Sequence, residues 1–413
     1  MPVLRNIGQL ATCPMEGDQA EVCPIEQAAL VWKDGLVAWA GRETDLPPQF
    51  EQLESRDAGG RLVIPGLVDC HTHLGFGGWR ADEFEMRLRG RDYLEIARAG
   101  GGIASTVLHT RQIGVPRLLA KCMTFLREMA ALGVTSVECK SGYGLDLENE
   151  IKLLETYRQL RQQQPLRILS TFLGAHTVPL EYRQDRAGYV ELLVSRMIPV
   201  VAGRQLADFC DVFLEESAFS RAEARQILEV GKKWGLRPKL HADQLSSCGG
   251  AELAAELGAA SADHLECIST EGIAALAKSE VVAVSLPLAS LYLEKRPLPA
   301  RKLIESGVKV AVATDFNPGS APSYHLPLAM TLACTAQRMT PAEVLKGSTI
   351  YAAKAIGTED RVGSLEVGKE ADFCLIDAPS INHWLYHFRP NACLESYVGG
   401  IRCDPSQFPI SAQ

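Results

Sequence analysis

From Leu67 onward the chain repeats one pattern: a short apolar, β-rich run, a polar turn, then an amphipathic helical stretch. Eight such runs occur, at residues 67–73, 134–140, 168–176, 208–215, 238–243, 260–265, 281–286 and 308–315. Strands alternating with helices build parallel βα units, and this many of them predict an α/β fold closed into a (β/α)8 TIM barrel. Helix ends are marked inside the pattern. Ser220 with Glu223 reads as a capping box, and Gly235 is placed to stop the same helix. Thr340, Pro341 and Glu343 start another, with helical sequence continuing to about Ala355.

The flanks follow a different pattern. Residues 1–64 are punctuated by Gly, Pro and Asp, and the runs Ala28 to Trp32 and Leu36 to Ala40 suit strands. After residue 360 that style returns, with Gly363 to Gly368 followed by the strand-like Asp372 to Asp377. The expected organisation is a barrel over 65–357, with 1–64 and 358–413 joining into one small β-sandwich domain. No internal repeat of fixed period is present.

Composition narrows the function classes. Apolar residues at 46% and charged residues at 22% describe an ordinary folded protein. The net charge of -8, with no stripe of Lys or Arg, argues against nucleic-acid binding. The most apolar stretch, Val281 to Leu293, is too short for a membrane helix and is broken by Ser285, Pro287 and Ser290. Met1 to Glu21 lacks the build of a secretory signal, so a cytoplasmic location is expected. The 12 cysteines lack any CxxC pair and read as free thiols.

Candidate chemistry collects at strand ends. Of 9 histidines, His71, His73, His176, His241 and His264 fall at the C-terminal ends of expected strands, the face where barrels gather their functional groups. His71 and His73 stand two apart, so both imidazoles project to the same side. With His241 and Asp315 they offer three nitrogens and one carboxylate, a set that suits zinc or iron better than magnesium or calcium. Asp69 shares the parity of His71, which makes it either an orienting partner for an imidazole N–H or a structural hydrogen-bonding group. Cys70 faces outward as inert packing. His264 reads as a general base or proton shuttle beside a metal-activated water, or as a further ligand. The fourth run ends in Glu215-Glu216 with no lysine to bridge two ions, which favours a single metal, although Glu215 offers an oxygen for a second.

The loops after the strands carry polar groups suited to a small anion. Arg80 can clamp a carboxylate, Tyr143 lies in a glycine-flanked turn, and His176 and Gln244 can meet the edge of a heterocycle. Asn317, Gly319 and Ser320 follow Asp315 directly. Gly100-Gly101-Gly102 lacks the lysine and hydroxyl of a phosphate loop.

Pro65-Gly66-Leu67-Val68-Asp69-Cys70-His71-Thr72-His73 resembles the opening of amidohydrolase barrels. Glu83 to Leu88, Ala99 to Ile103, Lys140 to Leu147, Thr171 to His176, His241-Ala242-Asp243, Ser261 to Glu266 and Ala313 to Gly319 are similar to the imidazolonepropionase family within that superfamily. The resemblance spans nearly the whole chain. It implies hydrolysis of the cyclic amide 4-imidazolone-5-propanoate to N-formimino-L-glutamate in histidine breakdown, and a homodimer. It also implies iron or zinc held by His71, His73, His241 and Asp315. Arg80, Tyr143, His176, Gln244 and Ser320 would contact the substrate, and Tyr143, Asn317 and Gly319 the open-chain product. His264 and Asp315 are the candidates to move a proton onto the departing nitrogen. Gly75, Trp79, Leu288 and Ser320 depart from the family's usual residues. Two other readings use the same residues: a purine or pyrimidine deaminase-like aminohydrolase, and a metal-free scaffold that kept only the fold.

Overall fold

The computed structural model describes residues 2–91 and 101–408, so Ala99 and Gly100 of the quoted motifs lie outside the described residues. The N-terminal strands are β1 (Pro2–Ala11), β2 (Pro24–Lys33), β3 (Leu36–Arg42), β4 (Glu54–Asp57) and β5 (Leu62–Pro65). Gly66 then leads directly into β6 (Leu67–Thr72), the first stave of a second sheet. That sheet continues with β7 (Val134–Lys140), β8 (Arg167–Ala175), β9 (Phe209–Leu214), β10 (Arg237–Ala242), β11 (Ser261–His264), β12 (Val282–Ser285) and β13 (Val310–Val312). Neighbours pair in sequence order and in parallel. The seam between β13 and β6 is joined by a bridge from Thr72 to Phe316, which makes the nearly closed barrel that the eight runs predict.

The eighth stave is shorter than the apolar run at 308–315. Beyond Val312 the backbone turns to close the seam: the Asp315 amide donates to the His71 carbonyl at 3.0 Å and the His73 amide to the Phe316 carbonyl at 2.9 Å. The helical sequence from Thr340 also divides, into Pro341–Gly347 and Ile350–Ala355. The break has a partner in the barrel, because the Ser348 carbonyl leaves the helix to accept from the Val68 amide of β6 at 2.9 Å.

After the barrel the chain supplies β14 (Phe373–Ile376), β15 (Cys393–Val398) and β16 (Ile401–Arg402). They extend the N-terminal strands into one sheet in the order β16-β15-β14-β5-β1-β2-β3, with β4 on β1. Three strand spacings separate β2 from β14, about 14 Å in a flat sheet. The rings of Trp32 on β2 and Phe373 on β14 are nonetheless 5.0 Å apart. The sheet is therefore rolled so that its halves face one another around Leu30, Trp32, Val63, Phe373 and Tyr397. No helix among the described residues is long and apolar enough to cross a membrane. All twelve cysteines are free.

The expected capping box at Ser220 forms, and the start signal at Thr340 also takes the form of a capping box with Glu343. At the first, Glu223 accepts from the Ser220 amide at 2.8 Å and pairs with Arg186 at 2.6 Å, while Gly235 follows the helix end with φ of 86°. The hydrogen bond from Arg186, aided by Ser220 and opposed by burial, holds the Glu223 carboxyl down at about 2, against 4.5 when unperturbed. Because the folded pKa is the lower one, the stabilisation is complete above about 4.5 and fades as the pH falls through about 2. Arg186 is half-exposed, so solvent screening keeps the effect small. Glu223→Gln should cost about 1 kcal/mol at pH 7 in urea unfolding. That cost should narrow progressively below pH 4.5, and one that stays constant down to pH 3 would contradict the assignment.

Candidate metal centre and substrate cavity

The C-terminal ends of β6, β10, β11 and the turn after β13 bring their polar groups to one buried point. His71 near the end of β6 and His73 just past it carry Nε2 atoms 3.4 and 3.5 Å from Asp315 Oδ1. His241 from β10 places its Nε2 3.4 Å from that of His73. A tetrahedral ion with bonds of about 2.1 Å has ligand atoms about 3.4 Å apart. The observed spacings match that edge length. His71 Nε2 is buried without a hydrogen-bond partner, as expected of a lone pair kept for a cation. Two trios of these atoms could each hold an ion, His71 with His73 and Asp315, and His71 with His241 and His264, and His241 also approaches the first trio through His73.

Electrostatics favours the same use. Burial, joined by the positive field of Lys140, keeps the His71 and His241 pKa values well below 6.5, and burial together with His176 does so for His73. All three imidazoles are thereby neutral, as ligation requires. Burial also lifts the Asp315 carboxyl to about 7, a cost that a cation at its oxygen reverses. His264 behaves differently. Burial alone would lower its pKa, but Glu266, whose Oε1 lies 3.7 Å from its Nδ1, and then Asp315 and Asp263 outweigh that and raise it.

The backbone bends sharply where these groups emerge. Asp243, His264, Leu265 and Asp315 adopt positive φ values of 49°, 80°, 65° and 55°, conformations that L residues seldom take and that here cluster at strand ends.

The partner of His71 is not Asp69. Asp69 accepts from the Thr314 amide at 3.1 Å and its hydroxyl at 2.6 Å, tying the barrel seam, so its role is structural. Asp263 on β11 takes the imidazole instead, its Oδ2 lying 2.6 Å from His71 Nδ1. An ionised carboxylate only accepts, so the proton sits on Nδ1 and Nε2 keeps its lone pair. Asp211 on β9 stands beside His241, its Oδ2 3.0 Å from Nδ1 but not aligned for a hydrogen bond, while its Oδ1 accepts from the His241 backbone amide at 3.1 Å. Sequence reasoning missed both aspartates, together with Glu138, Lys140 and Lys239 that surround them. The available signal was five charged residues inside strands otherwise apolar enough to be fully buried.

Glu215 is occupied elsewhere. Its carboxylate accepts from the Leu245 amide at 2.8 Å and from the Ser246 hydroxyl, and it belongs to no metal-holding group among the described residues. Cys70 is buried, with its thiol pKa raised well above the ordinary value by burial.

Above this cluster opens a cavity of about 290 Å³ lined by Arg80, Tyr143, His176, Gln244, Asn317, Gly319 and Ser320, with Phe213, Ile103 and Leu293 as apolar wall. Arg80 is braced rather than free: Glu83 Oε2 accepts from its Nε at 2.8 Å, and Glu83 Oε1 accepts from the Gly102 amide at 3.0 Å. Its guanidinium lies so close to Gly319 that a Cβ there would sit 2.2 Å from Nη1, so a side chain at 319 would displace the Arg80 guanidinium. His176 Nδ1 lies 3.0 Å from the Gly142 carbonyl, an acceptor only, which fixes the proton on Nδ1 and leaves Nε2 as an acceptor. Its ring stacks on His73 at 5.1 Å, and burial lowers its pKa to about 4. Tyr143 packs against both imidazoles at 5.6 and 5.3 Å. The Asn317 amide is spent on its own turn, accepting from the Gly319 and Ser320 amides at 2.8 Å each and donating to the Asp315 carbonyl and the Ser320 hydroxyl.

Comparison with known proteins covers a family model, relatives and solved structures. Residues 201–401 match the model of the amidohydrolase family. The chain is 47% identical over 403 residues to an imidazolonepropionase of Fusobacterium nucleatum, covering 96% of this chain and 97% of that one. It is 44% identical to one of Porphyromonas gingivalis, with 96% of each covered. Among solved structures, a zinc-bound adenosine deaminase of Xanthomonas campestris superposes with a TM-score of 0.72 at 18% identity, covering 97% of this chain and 92% of that one. The guanine deaminase of E. coli does so with 0.71 at 16% identity, covering 98% and 99%. At those identities the likeness is one of fold.

Proposed function

Because the chain belongs to the imidazolonepropionase family of amidohydrolases, we propose that it opens the cyclic amide of 4-imidazolone-5-propanoate by metal-dependent hydrolysis, giving N-formimino-L-glutamate. The observation that carries this reading is the cluster of buried imidazole nitrogens and the Asp315 oxygen, with separations of 3.4 to 3.5 Å from His71 to Asp315, His73 to Asp315 and His73 to His241, beneath a cavity that holds a braced arginine. We assign His71, His73, His241 and Asp315 to a single zinc or iron ion. When bound, the ion supplies Lewis acidity, enough to bring the pKa of a water from about 15.7 to about 7 and to polarise a carbonyl.

The chain's own residues do the rest. Arg80, held by Glu83, pairs with the propionate carboxylate and so fixes the ring above the ligand set. Nε2 of His176 accepts from a ring N–H, while Tyr143, Gln244 and Ser320 close around the heterocycle. Water adds to the ring carbonyl carbon and the bond from that carbon to the ring nitrogen breaks. The nitrogen leaves poorly as an anion, so His264, backed by Glu266, delivers a proton to it, and Asp315 holds the water's proton in between. Asn317 and Gly319 meet the open-chain product on this reading. The assignment of 65–357 to the barrel domain and of both ends to the second domain belongs to the same proposal, as do a cytoplasmic location and a homodimer.

The test is a spectrophotometric assay with freshly generated 4-imidazolone-5-propanoate. Loss of the imidazolone absorbance without ammonia release is expected, and ammonia release from purines or pyrimidines with no action on the imidazolone would overturn the proposal. Arg80→Gln should raise KM about 10- to 100-fold while kcat falls far less, since it removes a charged contact made before and during reaction. An unchanged KM would remove Arg80 from the substrate's carboxylate.

A further inference from the structure

Beneath the metal centre the barrel interior holds an ammonium at a junction. Lys140 Nζ donates to Asp211 Oδ2 at 2.8 Å and to Glu138 Oε1 at 2.8 Å, and lies 3.4 Å from Asp263 Oδ2. The two aspartate oxygens that it meets are the same atoms that face the imidazoles: Asp263 Oδ2 hydrogen-bonds His71 Nδ1 at 2.6 Å, and Asp211 Oδ2 lies 3.0 Å from His241 Nδ1. Every side chain in this set has 0% exposure apart from His241 at 3%. Lys239, the second buried ammonium, is further off, 3.5 Å from Glu138 and 4.0 Å from Asp263, and spends donors on the Cys70 and Ala355 carbonyls.

Two carboxylates on staves either side of β10 repel one another and, left alone, would swing apart. A cation between them offsets that repulsion and pins both Oδ2 atoms, and with them the rotation of two imidazoles from opposite sides of the barrel. Burying an ammonium is costly, and a hydrophobic residue of similar volume would fill the space more cheaply. We infer that Lys140 is a positioning residue of the metal centre, a single cation that sets the aim of His71 and His241 through Asp263 and Asp211. This rests on the metal site proposed above.

The test reads zinc affinity by competition with a chromophoric chelator, so it does not depend on turnover. Lys140→Met alone strands three carboxylates beside one ammonium and risks misfolding. The charge-balanced double variant Lys140→Met/Glu138→Gln keeps the cluster's net charge, and Glu138→Gln alone, which touches neither imidazole, is its reference. The double variant should melt cooperatively and bind zinc about 10- to 100-fold more weakly than Glu138→Gln, with an altered visible spectrum when loaded with cobalt. Glu138→Gln should remain within threefold of the parent chain. Equal zinc affinity and equal cobalt spectra in the double and single variants would overturn the inference, whereas a parent chain that binds no zinc would instead refute the metal site on which it rests.

Discussion

Replacing His71 with alanine is expected to abolish metal retention and to lower kcat/KM on the imidazolone by about 10⁴-fold or more, equivalent to about 5 kcal/mol of transition-state stabilisation. The size of the effect follows from position. His71 Nε2 is the unpartnered nitrogen common to both ligand groupings, so its loss leaves neither one complete. Folding should survive, because Asp263 keeps Ser261 and Lys140 as partners once the imidazole is gone. Elemental analysis beside the kinetic assay checks this, and a variant that keeps both its metal and its rate would remove His71 from the centre.

His264→Ala separates a second role from the first. The imidazole stands beside the ligand atoms, 5.6 Å from the His71 ring and 5.3 Å from that of His241, yet its pKa is raised by Glu266 where those of the three histidine ligands are depressed. A group that holds a proton so readily suits delivery to a leaving nitrogen better than ligation. The variant should keep its metal and lose about 10²- to 10⁴-fold in kcat. Metal loss in His264→Ala would make it a ligand, and unchanged kcat would leave it without the role assigned here.

Much of this was legible in the letters. The spacing of the apolar runs set out eight staves and their order, and the two-residue step from His71 to His73 placed both rings on one side. Where the reading stopped, the cause was physical. Strand parity says which face a side chain takes but not what it meets across a barrel. Asp69 and His71 share a face, yet Asp69 sits one step deeper, where Thr314 crosses the seam, and the carboxylate that reaches His71 lies 192 residues away in Asp263. The Lys140 junction escaped for the same reason, since its three acidic partners come from three different staves. The division of the helix after Gly347 was only weakly signalled by Gly347-Ser348-Thr349, and the break is completed from outside the segment, where the Val68 amide of β6 takes the Ser348 carbonyl.

Anomalous diffraction from crystals of the metal-loaded chain tests the central claim most directly. A single peak is expected within about 2.3 Å of Nε2 of His71, His73 and His241 and of an Asp315 carboxylate oxygen. A peak held by His264 without Asp315, or no peak in a chain that still hydrolyses the imidazolone, would contradict it.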